Sequence, residues 1–186
     1  FDTGFDHFDT LDFNRATIMT GQTIRAIDKY RSANNKLFFY IHLIDPHDYY
    51  RAPEPYFNIY SRPPYSPVSA DLAQRALDEQ TGCKLDPEYD NLSNHETAIA
   101  CLRKVPGFSS FSMRDVEQEK ARYDGEIKYA DAEIGRLVKY LKKTGMLRKS
   151  LIVIIADHGE AFMEHNQFKH GREVYDQASH VPFIVW

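Results

Sequence analysis

Acidic, imidazole and cationic side chains fall into four short clusters: His42 with Asp45 and His47, Asp157 with His158, Glu164 with His165, and Lys169 with His170. An Asp carboxylate next to an imidazole pairs a hard oxygen donor with a borderline nitrogen donor, which suits a divalent metal. A Lys and further imidazoles near such a pair would hold the oxygens of a phosphate-like or sulfate-like anion. Each cluster also has an ordinary reading, with Asp157 as a helix cap and the histidines as plain hydrogen-bonded residues. What argues for chemistry is where the clusters lie.

Asp157 and His158 end the run LIVIIADHGE at residues 151–160, whose first five residues are all aliphatic and mostly β-branched. That composition predicts a central strand buried on both faces. Gly159 would let the chain turn behind the polar pair. A second apolar run, LFFYIHLI at residues 37–44, predicts another buried strand, and Pro46 stops it just before His47. Polar residues past the ends of two such strands would share the carboxyl edge of a parallel sheet, where ligands bind in open α/β folds.

The remaining elements are those that such a sheet requires. Helical spacing predicts a helix over 17–32 and a long amphipathic one over 116–143, the latter with Tyr123, Ile127, Ala130, Ile134, Leu137 and Leu141 on one stripe and Gly145 as its C-cap. A loop over 160–171, a short helix near 173–178 and a closing strand in HVPFIVW follow. Helices alternating with strands predict an α/β fold, a mostly parallel sheet flanked by helices. From 48 to about 116 the texture is irregular and rich in Pro and Tyr, with short helices expected at 70–81 and 94–102. This reads as a packed insertion that faces substrate, and Tyr49, Tyr50 and Tyr56 could stack on a sugar or aromatic ring.

With 186 residues, 42% hydrophobic, 27% charged and a net charge of −4, the chain has the composition of an ordinary globular domain. No Lys/Arg block calls for nucleic acid, and no apolar run approaches the roughly 18 residues that span a bilayer. The opening FDTGFDHFDT has no Met, and the closing apolar run reaches the last residue. Both are read as the ends of a fragment, a partial catalytic domain over 1–186. Cys83 and Cys101 are compatible with a disulfide in an oxidising compartment and equally with two free thiols.

Two stretches resemble the sulfatase family of the alkaline phosphatase superfamily. LFFYIHLIDPHDYYRAPEPYF is similar to its apolar strand with His-x-x-x-Pro-His and a Pro/Tyr-rich loop. The stretch from YDGEIKYADAEIGRL through SLIVIIADHGE to FKHGREVYDQASHVPFIVW resembles its long helix, its Asp-His-Gly-Glu strand end, and its His-Gly and Val-Pro segments. The likeness covers most of 1–60 and 117–186.

The resemblance implies an alkaline phosphatase/sulfatase-like fold and hydrolysis of a small-molecule or carbohydrate sulfate ester. Asp157 and His158 would be metal ligands, for Ca²⁺ in a sulfatase. His47 and His170 would contact the transferred group or its leaving oxygen, and Lys169 would assist in binding the anion. His42 is read as a core or supporting residue of its strand, and Glu160 and His165 as structural. The family's formylglycine nucleophile, from a Cys/Ser-x-Pro-x-Arg motif, and its further Asp ligands match nothing here and are expected in a missing N-terminal half. Without them the fragment would not turn over substrate. The resemblance also suggests an exported, periplasmic or lysosomal parent. The rivals are a phosphodiester or phosphonate hydrolase or a phosphoethanolamine-type transferase of the same superfamily, with Mn²⁺ or Zn²⁺, and a non-catalytic binding domain.

Overall fold

The computed structural model describes residues 4–8, 15–32, 35–47, 50–63, 99–105, 109–171 and 174–186. The chain divides into two compact units, one of residues 1–47 and 127–149, the other of 48–126 and 150–186.

The first unit is built on helix α1 (Ala16–Tyr30), one residue earlier at its start than the spacing predicts. No side chain of its own caps it. The Asp45 carboxylate instead accepts the Ala16 N–H at 2.8 Å, so Asp45 serves a helix N-terminus. Helix α2 (Met113–Lys143) contributes its second half to this unit. Tyr129 O–H donates to Thr17 Oγ1 at 2.7 Å while its oxygen accepts the Thr17 N–H at 3.0 Å. Arg136 donates to the Thr17 carbonyl at 2.8 Å, and Tyr140 to Asp28 at 2.6 Å.

The long helix starts three residues before the expected 116. The Asp115 carboxylate accepts both the Ser112 N–H, at 2.7 Å, and its hydroxyl, at 2.8 Å. It ends as expected at Gly145, in the left-handed region at φ 73°. Met146 N–H donates to Leu141 O at 2.9 Å and Gly145 N–H to Lys142 O at 3.1 Å, which together make the two-bond C-terminal cap. The predicted stripe is imperfect. Ile127 is exposed, while Glu119 and Glu126 are buried.

The second unit holds the core: Tyr50, Ile99, Leu102, Phe111, Val116, Phe162, Met163 and Phe168. Residues 99–102 are helical, the described part of the helix expected at 94–102; the helix expected at 70–81 lies outside the described residues. Gly125 of α2 lies against the 53–59 turn so closely that a Cβ there would stand 2.4 Å from Tyr56 O. Cys101 is buried and disulfide-bonded, and the chain's other cysteine, Cys83, lies outside the described residues.

Strand β1 (Val153–Ile155) pairs antiparallel with β4 (Phe183–Val185), in the register Val153↔Val185 and Ile155↔Phe183. Strands β2 (Ala161–Phe162) and β3 (Phe168–Lys169) form an antiparallel hairpin, and the short helix α3 (Asp176–Ser179) lies between β3 and β4. The strand order thus departs from expectation: among the described residues every strand pair is antiparallel. Nor is β1 buried on both faces. Val153 is 50% and Ile155 62% exposed, because a strand is buried only by layers on each face, and the described residues give β1 a single neighbouring strand. Among the described residues, 37–44 enter no ladder, and Phe38 and Tyr40 are exposed. Their composition suits a strand, but an isolated strand has no partner for its N–H and C=O groups.

Candidate active site

The site grows from the end of β1. Past Ile155 the chain crosses Ala156 to Asp157, His158 and Gly159, and Glu160 then leads into the β2–β3 hairpin that returns Lys169 and His170. The hairpin is held down by Phe162, Met163 and Phe168 in the core and closed at its tip by Glu164, whose carboxylate accepts the Phe162 N–H. It needs an unusual backbone. Met163, His165, Asn166 and Lys169 all have positive φ, as does Gly171, a conformation costly for residues with a Cβ.

This loop brings the His158 and His170 rings face to face, centroids 3.8 Å apart and 26° from parallel. His158 Nδ1 lies 2.8 Å from the Gly159 carbonyl. A carbonyl only accepts, so Nδ1 carries the hydrogen, and the neutral ring has its lone pair at Nε2. His170 Nδ1 lies 3.1 Å from Glu160 Oε1, which sets the same tautomer by the same argument. The Asp157 carboxylate accepts the His158 N–H at 3.0 Å and is otherwise largely exposed. Lys169 and His170, with Gln167, Tyr175 and Gln177, line a small pocket.

Glu160 sits behind His170 as a buried carboxylate that also accepts Tyr50 O–H at 2.7 Å. Tyr50 is itself buried, so the expectation that it stacks on substrate is overturned: its hydroxyl is committed to an interior carboxylate. Tyr56 is half-buried, and Tyr49 lies outside the described residues. Sequence reasoning found neither Glu160 as the partner of His170 nor Tyr50 as the partner of Glu160. Tyr50 and Glu160 are 110 residues apart, and no local pattern links them.

The neighbouring Tyr123 packs on Tyr50 and Phe162, at 5.5 and 5.2 Å between ring centroids. Burial pushes its phenol above the usual value, and the charges of Glu160 and Asp124 push the same way. A raised acid favours its neutral form in the folded state. The resulting stability is therefore whole below about pH 10, the unfolded value, and is lost as pH climbs through the folded value. Thermal midpoints should fall more steeply above about pH 10 than those of Tyr123→Phe. Parallel curves for the two proteins would contradict this account.

His47 belongs to the first unit, where its N–H donates to Ile44 O at 2.7 Å. His42 is exposed, not a core residue, since its run never becomes a buried strand. His165 stacks on Tyr175 at 3.7 Å. Gly159 has a role different from a sharp turn. A Cβ there would stand 2.1 Å from Gln177 O, and its N–H donates to Ala178 O at 2.7 Å. It is glycine because another backbone passes against it.

As a metal site, Asp157 and His158 are right in kind and short in number. A hard cation takes roughly six to eight ligands and structural zinc about four. Among the described residues no group of three His, Cys, Asp or Glu side chains is placed to share an ion.

The Sulfatase family profile matches residues 5–186. The chain belongs to the sulfatase family. It is 33% identical over 97 residues to arylsulfatase K of Gallus gallus, covering 48% of this chain and 18% of that protein. It is 24% identical over 157 residues to an arylsulfatase of Clostridium perfringens, covering 84% of this chain and 28% of the relative. Among solved structures, the phosphonate monoester hydrolase of Agrobacterium radiobacter superposes with a TM-score of 0.58 at 23% identity, covering 91% of this chain and 32% of that one. The chain thus shares the fold of the superposed part of that hydrolase, and it spans a third or less of the length of each of these three proteins. Among its described residues no helix is long and apolar enough to cross a membrane.

Proposed function

We propose that this sulfatase-family chain supplies part of the active site of a hydrolase that cleaves a small-molecule or carbohydrate sulfate ester. The observation that supports this most is the stacked His158–His170 pair, with both Nδ1 atoms committed, flanked by Asp157 and Lys169. Asp157 and His158 would hold a divalent cation, Ca²⁺ in a sulfatase, with its other ligands coming from outside the described residues. When bound, the cation supplies positive charge to the oxygens of the tetrahedral anion.

His170 would present Nε2 to the transferred group, as acceptor when neutral and as donor when protonated, and Lys169 would add a cationic contact. His47 keeps the role that the family pattern implies, contact with the transferred group or its leaving oxygen; that assignment rests on the motif alone. The nucleophile, a formylglycine in a sulfatase, would come from the rest of the domain. An exported, periplasmic or lysosomal parent fits the disulfide at Cys101.

A phosphonate or phosphodiester hydrolase using Mn²⁺ or Zn²⁺ is the second reading, favoured by the superposition on a phosphonate monoester hydrolase. The test is to assay the full-length protein on 4-nitrophenyl sulfate and 4-nitrophenyl phenylphosphonate, with Ca²⁺ or Mn²⁺. Sulfate turnover should prevail and fall about 100-fold or more in His170→Ala. Asp157→Ala should weaken Ca²⁺ binding in calorimetry. Phosphonate turnover with Mn²⁺ alone would establish the second reading, and an unaffected His170→Ala would remove the site assignment.

A further inference from the structure

The geometry points to Glu160 as the positioning residue of His170, with Tyr50 as the group that holds Glu160 in place. The inference rests on the reading above, in which His170 contacts the transferred group.

The Glu160 side chain is only 4% exposed. A carboxylate so buried is tolerated when its oxygens are hydrogen-bonded, and here the two are divided between two partners. Oε2 accepts Tyr50 O–H at 2.7 Å and Oε1 accepts His170 Nδ1–H at 3.1 Å. Tyr50 is itself fixed, 4% exposed and wedged at 72° to Tyr123 and 46° to Phe162. The carboxylate therefore has little freedom to rotate away. His170 lies between two residues in the left-handed region, Lys169 at φ 70° and Gly171 at φ 88°. Glu160 fixes one edge of the His170 ring and His158 covers one face.

Sequence order adds to the case. Glu160 lies two residues beyond His158, so the strand end that places the first imidazole also places the carboxylate orienting the second. A carboxylate behind an imidazole selects the Nδ1–H tautomer and leaves Nε2 for the reacting group.

The test compares Glu160→Gln, which keeps the shape and removes the charge, with Tyr50→Phe, which keeps the ring and removes the hydrogen bond. Both are made in the full-length protein labelled with ¹⁵N for imidazole NMR. In the unsubstituted protein His170 should show a protonated Nδ1 and a bare Nε2, and Glu160→Gln should mix or invert that tautomer. Its kcat should fall about 10–100-fold with KM changed far less, and Tyr50→Phe should fall between. Both variants should keep the far-ultraviolet circular dichroism of the parent. An unchanged His170 tautomer in Glu160→Gln overturns the inference, as does a kcat within twofold of the parent. The tautomer is read without substrate. A tautomer shift in a protein that turns over neither ester would uphold the positioning role and remove the functional reading alone.

Discussion

Gly159→Ala is expected to lower the unfolding free energy by about 3 kcal/mol, the upper range for forcing an extra methyl into a packed interior. At this chain length that corresponds to a fall of roughly 10 °C in Tm. The added Cβ would lie 2.1 Å from Gln177 O and 3.1 Å from the Gln177 carbonyl carbon. Those are backbone atoms, so no side-chain rotation relieves the clash, and the segment entering β4 has to move. The movement would stretch the Gly159 N–H bond to Ala178 O, 2.7 Å in the parent. It would also shift the Gly159 carbonyl that holds His158 Nδ1. Activity should therefore fall together with stability. Denaturant unfolding of the two proteins decides the matter, and a difference below about 0.5 kcal/mol, as for a neutral surface change, would show that the approach is not tight.

Phe168→Ala should cost about 4 kcal/mol, the range for removing a fully buried aromatic ring. Phe168 is 2% exposed and meets Phe111 edge-on at 6.4 Å. It also anchors β3 immediately before Lys169 and His170, so the cavity would loosen the loop that carries them. Val153→Ala in β1 is the internal control. Val153 is 50% exposed and should lose less than about 1 kcal/mol. Urea midpoints of the two variants give the comparison directly. Equal losses would mean that the core does not centre on the hairpin.

Elements whose cues are local were legible in the sequence. Helix α2 followed from an apolar stripe and a terminal glycine, and Gly145 adopts the left-handed cap that its position demanded. The Asp157–His158 pair could be singled out because polar residues directly after an aliphatic run are conspicuous. The structure sets its imidazole against that of His170, with ring centroids 3.8 Å apart, a contact that no local pattern states. Burial was less legible. Residues 37–44 and 151–155 have the composition of interior strands, yet Phe38 is 78% and Leu151 76% exposed. Hydrophobicity states what a segment favours, while burial depends on which other segments cover it.

Residue types and their order therefore pointed to the first and the long helix and singled out Asp157, His158, Lys169 and His170 as candidates. Tertiary structure alone decided which polar groups support them. Asp45 caps α1 across 29 residues, and Glu160 reaches Tyr50 across 110. Gly159 is required by a backbone that returns at Gln177. The physical reason is common to all three. A carboxylate or a glycine shows in sequence what it can do, but its partner is set by the path of the chain, and these partners come from distant segments.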